Sequence, residues 1–349
     1  MVDVPVALAN LLRVHASYCR SNGSPFYAEL MEHMADDAAA GGPVAALAAP
    51  DVRAPESSYR LRILAGVHRL VLEGAAPDLA RHYPSTGGDG DAAAAWPSVR
   101  TLLDDQHPVV LDALTRPPQT NEVGRSTALV GGFLLMAGET KLPLRLLELG
   151  SSAGLNLRVA LYRYEQDGSG FGDPASPVRF ADRWRGGRPP FDAPCRIAER
   201  RGCDRDPIDA TTEDGRLRLL SYVWPGQTDR FTLLAAALEI ARDDPVPIDA
   251  ALIPAWLETQ LDEPAPGRAT VVFHSIVWSY LTAEERAAAT ETLRSAGGRA
   301  RRDAPLAWLR LESVPDLSST TLTLTTWPGG EERLLARAGF HVGPIDWLV

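Results

Sequence analysis

The run Arg145-Leu-Leu-Glu-Leu-Gly-Ser-Ser-Ala-Gly-Leu-Asn-Leu157 limits the fold more than any other stretch of the chain. An apolar strand ends in an acid, Glu148, and the loop Gly150, Ser151, Ser152, Ala153, Gly154 follows with no bulky side chain. Glycine lets the backbone turn sharply and lets another molecule approach its amides closely. A helix starting after Gly154 would add unpaired N–H donors and a partial positive charge. Strand, small-residue loop and helix in that order predict a nucleotide-type corner at the carboxyl edge of a parallel sheet.

The pattern on either side extends this expectation. Residues 1–140 read as helical. Ser24-Pro25 opens one helix with Ser as N-cap and Pro at the first helical position. Tyr59–Leu72 is a second, and Val99–Thr115 a third that Pro117-Pro118 stops. Thr120 or Asn121 caps the next. From residue 144, short apolar runs alternate with helical segments, which signals a parallel α/β sheet. Strands are expected at Leu144–Leu149, Arg196–Cys203, Val246–Asp249, Thr270–His274, Leu306–Leu311, Thr321–Thr326 and Phe340–Leu348. Helices are expected near Leu155–Tyr164, Arg230–Ala241, Ala250–Gln260, Ala283–Ser295 and Glu331–Ala338. The Gly-, Pro- and Arg-rich stretch at about 167–194 reads as an insertion. The predicted organisation is a helical domain over 1–140 and a Rossmann-like domain over 141–349.

Composition narrows the function. With 45 acidic against 35 basic residues the net charge is −10, which disfavours the phosphate neutralisation that nucleic acid binding needs. Basic residues gather only locally, at 179–188 and 196–205. No run reaches the roughly 18–20 apolar residues of a membrane span. The first residues lack the pattern of a signal peptide, so a cytoplasmic location is expected. Cys19, Cys195 and Cys203 show no C-x-x-C spacing, so neither a disulfide framework nor a metal site is expected.

The loop excludes some ligands. A phosphate-cradling P-loop needs a Lys after its last glycine, and none follows Gly154. A dinucleotide fingerprint needs a middle glycine, where this loop has Ser152. An acid two residues before the first glycine suits a ligand with a cationic amine, such as S-adenosylmethionine. The segment resembles motif I of the class I S-adenosylmethionine-dependent methyltransferases through Glu148, Gly150 and Gly154, with Ser152 in place of the central glycine. Gly202-Cys-Asp-Arg-Asp-Pro207 is similar to the end of the second strand in that fold. The resemblance implies a seven-stranded sheet and a cofactor site of Glu148, Gly150, Ser151, Ser152, Gly154, Asn156 and Asp204, with Asp204 on the ribose hydroxyls. Asp204 lies about 50 residues beyond Gly154, against roughly 20 in a bare βαβ unit, and the insertion would supply the excess. Asp249 falls where an acid meets the adenine amino group, or serves as a helix N-cap. His274, at the end of the fourth strand, is the expected general base. The implied reaction is in-line methyl transfer to a small-molecule acceptor chosen by the helical domain. The last pair of strands, interrupted by the Glu331–Ala338 helix, fits the reversed seventh strand.

The whole chain also resembles a bacterial domain-of-unknown-function family, number 2332. The matching pieces are Ser24–Tyr27, Gln119–Arg125, Leu147–Leu157, Arg201–Asp204, Val223–Pro225 with Arg230, and His274-Ser275. Within Gln119–Arg125, Asn121, Glu122 and Arg125 are candidates for the methionine end of the cofactor or for substrate, or else a capped helix with an i, i+3 ion pair. Trp224, Pro225 and Arg230 read as the start of a helix. Two other functions fit the same loop. One is a methyltransferase-like scaffold that binds S-adenosylmethionine or another nucleoside without turnover. The other is an α/β-hydrolase, because Gly150–Gly154 satisfies G-x-S-x-G with Ser152 as nucleophile, His274 or His341 as base and Asp249 as acid. The helical stretch before the loop, where a hydrolase has strands, argues against it.

Overall fold

Prolines punctuate the first part of the chain into helices. The computed structural model describes residues 4–47, 59–314, 319–339 and 343–349. Its opening helices are α1 (Val4–Ser21), α2 (Pro25–Ala39), α3 (Pro43–Ala46), α4 (Tyr59–Leu72), α5 (Pro77–Ala80), α6 (Ala92–Asp104) and α7 (Pro108–Thr115). Proline stands in the first turn of α2, α3, α5 and α7, where its missing N–H costs nothing. Ser24 precedes Pro25 but makes no side-chain cap, and its buried hydroxyl has no partner. The expected Val99–Thr115 helix is two helices. Gln106 turns the chain at φ 49°, and Pro108 starts a new axis.

The chain continues through a short 3-10 turn, Val123–Arg125, into α8 (Ser126–Thr140) and then β1 (Leu144–Leu149). Four short strands come next: β2 (Arg163–Gln166), β3 (Ser169–Gly172), β4 (Arg179–Ala181) and β5 (Trp184–Arg185). Then follow β6 (Ile197–Asp204), α9 (Glu213–Ser221), α10 (Thr228–Asp243), β7 (Ile248–Ala250), α11 (Ile253–Gln260), β8 (Ala269–Ser275) and α12 (Ala283–Arg299). The chain closes with β9 (Leu306–Ser313), β10 (Thr320–Trp327), β11 (Glu331–Ala338) and β12 (Ile345–Trp347). Phe340 and His341 lie outside the described residues. No helix among the described residues is long and apolar enough to cross a membrane.

Cα packing gives two compact units, Met1–Thr120 with Thr212–Ala235, and Asn121–Thr211 with Ala236–Val349. In the first, Phe26, Tyr27, Leu30 and Met34 of α2 meet Ile63, Leu64 and Val67 of α4 in one apolar core that also takes in Trp224. These positions recur at three- and four-residue spacing, which puts them on one face of each helix.

The second unit is a mixed α/β structure around a large, mostly parallel sheet. Its strand order is β5-β12-β11-β10-β9-β8-β1-β6-β7, so it has nine strands rather than the expected seven. The portion β7-β6-β1-β8-β9 is parallel throughout. It follows the 3-2-1-4-5 order of a doubly wound sheet. The chain leaves β1 for β6 and β7 on one side, then returns to β8 on the other. That makes the carboxyl ends of β1 and β8 a topological switch point, where such sheets bind ligands. All of β8 and all but one residue of β1 are buried, as expected for strands covered on both faces.

Two elements differ from expectation for local reasons. Leu155–Tyr164 is not an α-helix but a 3-10 turn, Leu155–Leu161, that is non-helical at Arg158 and runs into β2. The Arg158 guanidinium donates to the carbonyls of Ala153 (3.3 Å) and Gly154 (2.8 Å), taking an acceptor that an α-helix would give to a backbone N–H. Glu331–Ala338 is β11, a strand with helix-forming composition. Antiparallel pairing with β10 and burial of Leu335, Ala336 and Ala338 override its local preference. Arg333 at its solvent side pairs with Glu139 at 2.8 Å. Within the 167–194 stretch, β3 and β4 join β2 in a three-stranded sheet, while β5 pairs with β12 at the edge of the large one.

Candidate functional site

The loop after β1 is held mainly by its own backbone and by β6. Ser151 N–H donates to the Cys203 carbonyl (2.9 Å), and its hydroxyl donates to the Glu148 carbonyl (2.9 Å). Ser152 N–H donates to Asp204 Oδ2 (2.8 Å), and Asp206 N–H donates to Oδ1 (2.9 Å). Gly150, Ser152 and Gly154 sit at φ 65°, 54° and 67°. The first and last of these left-handed positions explain the glycines, and Ser152 adopts one despite carrying a side chain. A Cβ on Gly150 would meet Val277 at 2.5 Å, and one on Gly154 would meet Ile248 at 2.7 Å. The close approach the glycines allow is thus, on those faces, to the protein's own side chains.

Glu148 is the most unusual residue of the corner. It is 2% exposed, and its Oε2 has no hydrogen-bond partner. Burial pushes its pKa well above the usual carboxylate range. The Asp204 charge adds to that shift, while Arg158, a hydrogen bond from Asn156 and Arg125 oppose it. Two further buried oxygens nearby in sequence, Ser152 Oγ and Asn156 Oδ1, also lack partners. Leaving such groups unpaired costs about 1–3 kcal/mol each, so each acceptor is suited to a donor from a bound molecule.

Arg158 does not stand out in the sequence beyond being a charge inside the apolar stretch Leu155–Val159. It is 2% exposed and donates to the Asp244 carbonyl at 3.0 Å. Asp244 in turn holds Arg200 through two bonds of 2.6 and 2.9 Å. The Gln119–Arg125 run bonds both within itself and to distant segments. Asn121 Oδ1 accepts Leu155 N–H (2.9 Å), Glu122 Oε1 accepts Gly124 N–H (3.1 Å), and Arg125 Nη1 donates to the Ser275 carbonyl (3.0 Å). Asn121 therefore braces the loop, and Arg125 reaches the end of β8.

Asp249 and His274 are both engaged by protein groups. Asp249 accepts two bonds from Arg201 (2.6 and 2.8 Å) and one from Trp256 Nε1 (2.6 Å). The Arg201 bond holds its pKa below the ordinary value against the effect of burial, with help from Trp256. Leu252, not Asp249, is the N-cap residue of α11. His274 is fully buried and stacks on Trp278, with centroids 4.6 Å apart. Trp308 Nε1–H can only donate, so His274 Nε2 accepts it (3.1 Å) and Nδ1–H donates to Glu312 Oε1 (2.6 Å). Glu312 lies one residue beyond the expected strand end at Leu311, and the available signal was an acid at the carboxyl end of a mostly apolar strand.

The structure thus brings Glu148, Ser151, Ser152, Asn156 and Asp204 to one corner, with Asn121 and Arg125 beside it. It commits Asp249 to Arg201 and His274 to Glu312 and Trp308. Trp224 packs with His15 and Tyr18 in the helical unit. Among the described residues, no group of three or more His, Cys, Asp or Glu side chains is placed to hold a metal ion.

The match that decides the family covers residues 9–347 and falls on the model for uncharacterized proteins conserved in bacteria, DUF2332. The chain belongs to the DUF2332 family. No curated protein and no solved structure matches it. For a DUF2332 protein, then, function has to be argued from the corner itself.

Proposed function

We propose that this DUF2332 protein is an S-adenosylmethionine-dependent methyltransferase acting on a small molecule. The observation that carries the reading is Glu148: a buried acid with an unpartnered oxygen, beside Asp204, at the switch point of a doubly wound sheet. The residues fit the cofactor's polar groups. Glu148 Oε2 and Asn156 Oδ1 are acceptors suited to an ammonium group. Each Asp204 oxygen accepts one backbone N–H and keeps further acceptor capacity for ribose hydroxyls. The cofactor, when bound, supplies a methyl group activated on a sulfonium sulfur.

The chain's part is to bind and orient. A buried carboxylate gains most when a cation enters, because the charge that burial disfavours is then matched in a low-dielectric setting. Holding acceptor and methyl in line would supply most of the rate. The surplus of acidic residues supports a small acceptor over nucleic acid.

One observation favours a second reading, binding without turnover. His274 already uses both ring nitrogens, so proton removal there would first break a bond to Glu312 or Trp308. Supplying radiolabelled S-adenosylmethionine with a panel of small nucleophiles separates the two. Transfer of label supports the enzyme, whereas saturable binding with no transfer supports the scaffold.

A further inference from the structure

One carboxylate oxygen collects three N–H donors at the switch point. Glu312 Oε1 accepts His274 Nδ1–H at 2.6 Å, Val277 N–H at 2.9 Å and Trp278 N–H at 3.2 Å. The segment it holds is unusual. Ile276 sits at φ 53°, a left-handed conformation that a β-branched residue rarely adopts. Such strain persists only where the surroundings impose it, and it gathers at functional sites. Immediately after Ile276, the Val277 side chain lies where a Cβ on Gly150 would point, and Trp278 stacks on His274. Just before it, the Ser275 carbonyl accepts Arg125.

We propose that Glu312 is a positioning residue for the corner: it anchors the His274 ring through Nδ1–H and locks the strained Ile276–Trp278 turn so that Val277 braces Gly150. The mechanism is mechanical and electrostatic. A charged acceptor holds three donors better than a neutral one, and the three bonds together offset the cost of the Ile276 conformation. Gly150 begins the loop that carries Ser152 and Asn156, so the brace sets where their oxygens lie. The consequence for cofactor affinity rests on the proposed function, whereas the consequence for the turn does not.

The test therefore reads the ligand-free protein first. Amide hydrogen exchange at Val277 and Trp278 and the 15N shifts of His274 are compared in wild type, Glu312→Ala, Glu312→Gln and Glu312→Asp. The expected result is at least about tenfold faster exchange at both amides in the alanine variant. A shift of the His274 Nδ1 resonance, which loses its acceptor, should accompany it, with both effects partly restored by glutamine, whose neutral oxygen accepts the same N–H groups. Should the alanine variant not fold, the aspartate variant, shorter by one methylene, carries the same expectation. Unchanged exchange and unchanged His274 15N shifts in a folded Ala or Asp variant overturn the proposal. In a second arm, S-adenosylhomocysteine should bind the alanine variant, or the aspartate variant in its place, about tenfold more weakly than wild type, a loss of about 1.4 kcal/mol. Absence of binding to wild type would defeat the ligand assignment alone, since the exchange result is obtained without ligand.

Discussion

The Asp204 carboxylate, at the end of β6, accepts the backbone N–H of Ser152 at 2.8 Å and so ties the second parallel strand to the loop after the first. The bond places two segments about 50 residues apart in sequence at one point, and it does so with a side chain that keeps acceptor capacity.

Replacing Asp204 by alanine should therefore act twice. It leaves the Ser152 and Asp206 N–H groups without their acceptor, at a cost of about 1–3 kcal/mol. It also weakens binding of S-adenosylhomocysteine. Urea denaturation and titration calorimetry on the same samples check both effects, and a stability loss with unchanged affinity would confine Asp204 to a structural part.

Glu148 should make the protein less stable as pH rises. Its pKa is raised in the folded state, so above the ordinary value of 4.5 the folded chain holds a proton the unfolded chain has lost. Stability then falls with rising pH until the folded-state value is passed. Glu148→Gln removes this slope and should be more stable than wild type at pH 7 to 8, with the difference shrinking toward pH 4. The same variant should bind cofactor more weakly, a trade expected where a site stores destabilisation. Denaturation midpoints across pH test the first statement, and calorimetry the second.

His68 gives the helical unit an acid sensitivity of the opposite sign. It is fully buried, with Nδ1 near the Ser221 carbonyl (3.1 Å) and Nε2 at Ser85 Oγ (2.8 Å). Burial lowers its pKa to about 4 from 6.5, against the effect of its backbone hydrogen bonds. A depressed imidazole contributes stability that is present above 6.5 and lost as pH falls toward 4. The expected loss reaches about 3 kcal/mol near pH 4. A His68→Gln variant should show a flatter profile between pH 6.5 and 4, read by circular dichroism at intermediate urea.

Gly150→Ala should destabilise by about 1–3 kcal/mol, from a left-handed φ and collision with Val277. Val277→Ala in the same chain should recover the steric part but not the backbone part. A double-mutant cycle by urea denaturation measures the coupling, and additive effects would show that the two residues do not touch in solution.

Much of the sheet was legible because buried parallel strands leave continuous apolar runs. Leu144–Leu149 is reproduced residue for residue by β1, and the β8 and β9 cores fall within a residue or two of expectation. Glu331–Ala338 was illegible because its composition is that of a helix, and only pairing with β10 makes it a strand. Leu155–Tyr164 failed for a related reason. Its apolar spacing suits a helix, but Arg158 turns back onto the loop carbonyls, a contact with no sequence signature. The large sheet has two strands more than expected because β11 reads as a helix and β5 is only two residues long, pairing with β12 across distant sequence. At the site, acids at strand ends were visible as types, but their engagement was not. Asp249 differs from Glu148 because Arg201 on the neighbouring strand and Trp256 on α11 occupy its oxygens and because it is less buried.

The most direct test of the central claim is titration calorimetry of S-adenosylhomocysteine into wild type, Glu148→Gln and Asp204→Ala. The account predicts saturable binding to wild type tighter than about 1 mM, weakened about tenfold or more by either substitution. No detectable binding to wild type, or equal affinity in all three proteins, would contradict it.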